Sequence, residues 1–234
     1  IGRLGTANTN WQDEIYQDAV GSDHTFSALG SLKGVPMRAS VGYSDHDGIL
    51  KTDNFKRTTA SVSFIPSFLD DHLTVEINGR GMYNENIFAN RGAIGGATAF
   101  DPTQSIYDAG SQYDGYFAWL DSNTGNQLNL APTNPIAQLN LREDSAEVRR
   151  LIANAKFDYK LEFFPDVTAT VNVGIDKSNS HGRTLTSELM PISEPNYNGA
   201  RTTYRQEATN KLFDAYATYN KEFNELHNLN VVVG

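Results

Sequence analysis

The residues of this chain that could do chemistry are few and badly spaced for it. Five histidines, at positions 24, 46, 72, 181 and 227, never approach the spacing of a metal site, and there is no cysteine to supply a thiolate ligand or nucleophile. Asp70-Asp71 beside His72 has the types for acid–base work, but it sits just after Pro66 and reads as a solvated turn. Gly92 to Gly96 resembles half of a phosphate-binding loop, without the Lys-Ser/Thr that would touch phosphate, and is expected to be a flexible loop. Asp121, Asn123 and Gly125 open like a calcium loop. Positions 126–132 offer no acid to complete it, so a plain turn is expected. Ser, His and Asp occur without a nucleophile elbow. No catalytic residue, metal or cofactor is assigned, and the chain reads as a non-enzyme.

One constellation remains. Tyr107, Tyr113, Tyr116, Phe117 and Trp119 lie within a stretch that otherwise looks like loop. Aromatic rings bury apolar area while Tyr and Trp keep a polar tip, which suits sugar stacking, protein contact or loop self-packing. These five are the candidate contact residues.

What must position them is a set of strands. Odd positions from Leu73 read Leu73, Val75, Ile77, Gly79, Gly81 and Tyr83, against Thr74, Glu76, Asn78, Arg80 and Met82 between them. The same period of two runs from Leu151 to Phe163, from Val167 to Asp176, from Met37 to Ser44 and from Arg57 to Phe64. Successive side chains of a strand point to opposite faces, so each segment has one apolar and one polar face. Eight strands are predicted, at about 24–32, 35–45, 55–65, 72–84, 148–163, 166–178, 208–220 and 228–234. Short connections fall at Lys33-Gly34, Pro66 to Asp71, Pro165-Asp166 and Lys221 to Asn228. Long ones run from His46 to Asn54, Asn84 to Glu147 and Asn179 to Glu207.

Short turns at one end and long loops at the other predict a transmembrane β-barrel whose long loops face outside. Composition agrees. The hydrophobic share is only 39%, yet aromatics reach 11%, as half-apolar strands would give and disorder would not. No run of about 18 apolar residues exists to make a membrane helix. A net charge of −9 argues against a nucleic-acid partner. Aromatics near strand ends (Phe64, Phe163, Phe164 and Tyr219 by the short turns, Tyr43 and Tyr83 by the long loops) fit interfacial girdles. The chain opens on Ile1 rather than Met and stops at Gly234, after the apolar run Leu229 to Val233. The expectation is a piece of a longer polypeptide. A self-closing eight-stranded barrel with a structural or binding role is the alternative.

Particular stretches resemble the first part of the barrel in SusC/RagA-type TonB-dependent transporters. They include Asn8 to Ile15, Arg38 to Tyr43, Asp47 to Arg57, Phe68 to Leu73, Gly92 to Gly95, Phe100 to Gln104, Tyr113 to Leu120, Asn134-Pro135 and Asn154 to Pro165. The similarity runs in order over nearly the whole chain. It implies an all-β fold, part of a large antiparallel barrel of the bacterial outer membrane. Residues 1–23 would be an extracellular segment, 24–84 and 148–234 strands, and 85–147 a long extracellular loop. By the family pattern this would be roughly the second to ninth strands. The resemblance further implies import of oligosaccharide, or in some members peptide. Its partners would be a SusD-type surface lipoprotein and the TonB–ExbB–ExbD machinery, recruited through a plug and TonB box outside these 234 residues.

Overall fold

The computed structural model describes residues 4–194, 196–224 and 227–234. Among the described residues nine antiparallel strands form one sheet. They are β1 (Gly21–Leu32), β2 (Val35–Asp47), β3 (Asn54–Phe64), β4 (Ser67–Phe68), β5 (Leu73–Ile87), β6 (Arg142–Lys160), β7 (Val167–Thr186), β8 (Ala200–Phe223) and β9 (His227–Val233). The eight long strands pair strictly in chain order, and the two-residue β4 adds to β5 alone. Among the described residues there are also three short helices: α1 (Trp11–Ile15) precedes β1, and α2 (Gly92–Ala99) and α3 (Pro135–Asn140) lie in the connection from β5 to β6.

Turn chemistry fixes the short ends. Lys33 (φ 52°) and Gly34 (φ 86°) close β1 onto β2 with Leu32 opposite Val35, the left-handed pair of a two-residue hairpin. Leu69, Asp70 and Asp71 all have positive φ, and the His72 amide donates to the Leu69 carbonyl at 3.0 Å. Asp70 and Asp71 are therefore turn residues. The predicted turn from Lys221 to Asn228 includes positions 225 and 226, which lie outside the described residues.

The register aligns the faces across the whole sheet. Gly30, Met37, Phe64, Ile77, Ala155, Val173 and Phe213 stand opposite one another in a continuous row. On the other face Glu76, Lys156, Asn172 and Asp214 form a matching polar row. Arg150 meets Asp176 there through two contacts, Nε to Oδ1 at 2.9 Å and Nη2 to Oδ2 at 2.6 Å. Lys156 pairs with Asp158 at 2.9 Å, and Asp158 accepts from the Thr170 hydroxyl at 2.7 Å.

The two faces are inverted relative to a water-soluble sheet. Along β3 and β7 the apolar positions are the exposed ones, and the polar positions between them are half-buried. The sheet thus curls with its polar face concave.

The apolar band is also inclined to the strands. Its uninterrupted apolar run ends toward the long loops at Tyr83 on β5, Leu151 on β6, Ile175 on β7 and Phe213 on β8, each followed on that face by a charged residue. Their neighbours in register are Arg149 opposite Tyr83, Lys177 opposite Leu151 and Lys211 opposite Ile175, so the edge slips two positions per strand. The other edge drifts the same way, from Met37 and Phe64 to Leu73 and then Val167. A level line across strands about 4.8 Å apart and tilted about 35–45° slips in the same sense by about 3–5 Å per strand, somewhat less than the two-residue step of about 6.8 Å.

Several boundaries differ from the sequence reading. β5 runs to Ile87 and β6 begins at Arg142, so that connection spans 88–141. β7 extends to Thr186 and β8 starts at Ala200, eight residues before its predicted start, leaving a connection of 187–199. β1 starts at Gly21, three residues early. Beyond the apolar band both faces are polar, so the period of two disappears from the sequence while the backbone ladder continues.

β1 and β9 form the two edges and do not pair with each other among the described residues. Edge N–H and C=O groups in an apolar medium cost several kcal/mol each. Refolded alone in detergent, the 234-residue segment should therefore give no compact, heat-modifiable species on an unheated gel. Such a species with full β-sheet circular dichroism would refute the open-sheet topology.

Candidate functional site: a packed module at the loop end of the sheet

The segments that the sequence separates into three loops fold together. Trp11 and Ile15 of α1, Leu50 from the β2–β3 connection, Ala93 and Ala97 of α2, Phe100, Tyr116, and Ile136, Ala137 and Leu139 of α3 make one buried cluster. Backbone bonds stitch it. Lys51 donates to the Ile15 carbonyl at 2.9 Å, Thr9 to Pro102 at 2.8 Å and Ala7 to Thr103 at 3.0 Å. The 187–199 connection joins through Ser187 N–H to the Leu141 carbonyl at 2.8 Å, and Met190 and Pro191 are buried.

Gly92 to Gly96 is helical, the first part of α2, and not the flexible loop that its glycines suggest. Helix pays for glycine in lost entropy, about 1 kcal/mol each relative to Ala, so packing must supply the stability. At Gly96 a Cβ would come within 3.0 Å of the Gln138 side chain and 3.2 Å of the Thr133 carbonyl, so α2 meets the segment before α3 without room for a side chain.

Asn134 is the residue on which the module turns, and it is completely buried. Its Oδ1 accepts from the Ile136 and Ala137 amides at 3.0 and 3.3 Å, capping α3 with Pro135 at the first helical position. Its Nδ2 donates to the carbonyls of Ile106 and Phe117 at 2.9 and 3.2 Å, clamping the aromatic stretch from two sides. The signal in the sequence is Asn-Pro before an apolar run, a helix-start pattern; the second pair of bonds is not readable from it.

Asp101 plays a similar part at the other end. Its carboxylate accepts from the Thr103 amide and hydroxyl, both at 2.8 Å, and these bonds hold its pKa below the ordinary carboxylate range. Its carbonyl accepts from the Trp11 indole at 3.0 Å. Asp121 is spent in the same manner, its Oδ1 taking the Asn123 amide at 2.7 Å in a turn. No group of three or more metal-ligating side chains occurs among the described residues.

The five aromatic candidates divide. Tyr113 and Tyr116 are buried, the first accepting from the Gln127 amide at 3.0 Å and the second from Asn140 Nδ2 at 2.9 Å. Phe117 stands edge-on between buried Phe100 (6.1 Å) and Trp119 (5.2 Å); Phe117 and Trp119 are partly buried against the core. Tyr107 lies against Tyr116 with centroids 5.2 Å apart and stays 58% exposed. Trp119 borders a shallow hollow of about 660 Å³ with Leu128, Pro132 and Leu130, whose side chain is 99% exposed. Sequence reasoning missed Leu130, since a lone Leu in a polar loop carries no pattern.

No protein-family profile matches the chain. It is 38% identical over 229 residues to the TonB-dependent receptor SusC of Bacteroides thetaiotaomicron, covering 91% of this chain and 22% of that protein. It is 26% identical over 250 residues to the TonB-dependent receptor P3 of Formosa agariphila, covering 98% of this chain and 22% of that protein. In structure it superimposes on the RagAB peptide transporter with a TM-score of 0.71, at 19% identity, over 99% of this chain and 26% of that one. The closed-closed and open-open states of the RagAB peptide importer give 0.70 and 0.67. The fold is therefore that of the barrel wall of a TonB-dependent transporter. Within that class it is similar in sequence to SusC and in fold to the RagAB transporter. It spans about a fifth of the length of the curated relatives it matches.

Asn134→Ala should loosen the module without disturbing the strands. Loss of the cap and of two buried carbonyl partners costs about 3 kcal/mol, or roughly 100-fold faster local opening. Hydrogen exchange across 135–140 in the full-length protein checks it; unchanged exchange there would show that the module does not depend on Asn134.

Proposed function

We propose that this chain is part of the barrel wall of an outer-membrane importer of large nutrients, oligosaccharides or peptides. Its convex apolar face meets lipid, its concave polar face lines the lumen or meets a plug, and the packed module stands outside the cell. A SusD-type lipoprotein seats on the loop side, and the TonB–ExbB–ExbD machinery supplies energy through parts of the protein beyond this chain. It has no enzymatic role. The observation that carries this reading is the inclined apolar band on the exposed face. Arg or Lys on that face would cost about 2–4 kcal/mol at a bilayer midplane, and between its two edges the band holds none. Charged Glu76, Arg80, Lys156 and Asp158 all lie on the concave face. Similarity to SusC, and the fold shared with a peptide importer, support the transport part of the reading. A self-closing small barrel with a structural or binding role would need β1 to pair with β9, and the sheet order disfavours it.

The facing is testable in the full-length protein in native membranes. Spin labels at Ile77, Ala155, Phe157, Val171 and Val173 should be accessible to lipid-soluble oxygen. Labels at Glu76, Asn78, Lys156 and Asn172 should favour a water-soluble relaxant. The opposite pattern would sink the membrane reading.

For the module, the accessible rim of the aromatic group (Tyr107, Trp119 and the neighbouring Leu130) is the proposed contact with the lipoprotein or with substrate. Tyr113, Tyr116 and Phe117 hold that rim from within. A buried aromatic anchor at an interface carries about 2 kcal/mol or more, so Trp119→Ala with Leu130→Ser should cut lipoprotein co-purification by about 30-fold or more. Surface expression and heat-modifiability should not change. Wild-type recovery of the lipoprotein together with wild-type, TonB-dependent uptake would leave the rim with no role beyond loop packing.

A further inference from the structure

The register places three cations on successive strands, each just past the edge of the apolar band. Arg149 follows Leu151 on β6, Lys177 follows Ile175 on β7 and Lys211 follows Phe213 on β8, each on the apolar face and each exposed. The row slips two positions per strand, in the sense of the strand tilt, and so follows the edge of the band. Arg149 is partly engaged, 3.7 Å from Glu147 and over the Tyr83 ring at 5.5 Å. Lys177 and Lys211 have no acidic partner among the described residues. Nearby Glu207 is engaged with Arg205 at 2.9 Å.

Beneath the row the same face is hollow. A depression of about 620 Å³ is walled by Tyr83 and Leu151, floored by Ala60 and Gly81, and reached by Arg149 and Lys177. A Cβ built on Gly81 would meet nothing within 4 Å, so the backbone there is bare. An apolar slot that runs up to Arg149 and Lys177, with Lys211 on the next strand, matches one kind of molecule, with an acyl chain below and a negative phosphate above.

We propose that this face is a binding site for an anionic, phosphate-bearing lipid of the outer leaflet. Its phosphate sits on Lys177, Lys211 and Arg149, and an acyl chain lies across Gly81 and Ala60. The proposal rests on the membrane reading given above. The cations stand at the loop end of the band, which that reading places in the outer leaflet. Charge complementarity selects an anionic head over a zwitterionic one.

The test is native mass spectrometry of the full-length transporter, exchanged from detergent into phosphatidylglycerol or phosphatidylcholine of the same chain length. The wild-type protein should retain phosphatidylglycerol preferentially. Lys177→Gln with Lys211→Gln should lower that retention by about 25-fold, the product of roughly fivefold per lysine beside an anionic lipid. Gly81→Leu, which fills the slot where a Cβ meets nothing, should lower retention of both lipids while the barrel stays heat-modifiable. Lys56→Gln removes a rim cation of β3 already 3.6 Å from Asp45 and should change neither. Equal retention of the two lipids by wild type would overturn the proposal. So would an unchanged preference in the double lysine variant, or a loss in Lys56→Gln equal to that of the lysine pair. Spin labels at Val173 report the membrane facing without reference to lipid charge, so a failed lipid site and a failed membrane reading give different results.

Discussion

Everything in this chain depends on the unbroken antiparallel register. Each long strand is locked to its neighbour over most of its length, up to twenty residue pairs between β7 and β8. A slip of one residue would carry every side chain of a strand to the opposite face. With the register fixed, apolar residues from seven strands share one row and charged residues share the next. The polar face then closes its own charges locally, as in Arg150 with Asp176. The face of the sheet, not any single contact, is the unit of organisation.

The same ladder explains why the module at the loop end can exist. The strands continue past the apolar band as a polar palisade, β7 and β8 furthest of all, and bring the roots of the long connections together. Chain leaving β5 at Ile87 and returning at Arg142 spends its length on a compact core rather than on open loop. That core is small and needs polar as well as apolar closure. Asn134 satisfies four backbone groups at once in a site without exposure, an arrangement that costs little when complete and much when one partner is lost. The aromatic stretch thereby acquires an inside, with Tyr113 and Tyr116, and an outside, with Tyr107 and the open edge of Trp119.

Two surfaces leave apolar groups uncovered. One is the convex band, where exposure is continuous over many strands. The other is the rim beside Leu130, where it is local. They call for different occupants. A broad band continuous over several strands suits a fluid apolar phase, whereas a hollow of a few side chains suits a specific partner. The cation row at the band edge links the first surface to a defined ligand, because its charges sit where apolar and polar surroundings meet.

The sequence by itself determined the strands within the band and their facing, because a sheet with one apolar side imposes a period of two that survives in the residue types. Val75, Ile77, Phe157 and Val173 declared their common face before any pairing was known, and Lys33-Gly34 declared its turn. Only the tertiary structure decided the rest. The polar extensions of β7 and β8 have no alternating signal, since water bathes both sides. The helical state of Gly92 to Gly96 runs against local propensity and depends on packing beside Gln138 and Thr133. The division of the aromatic group into buried and accessible members depends on Asn134, tens of residues away from some of the groups it holds. The alignment of Arg149, Lys177 and Lys211 along the band edge comes from register, which is not written in a one-dimensional pattern. Local periodicity is a property of each strand alone, but height across a tilted sheet is a property of all of them together.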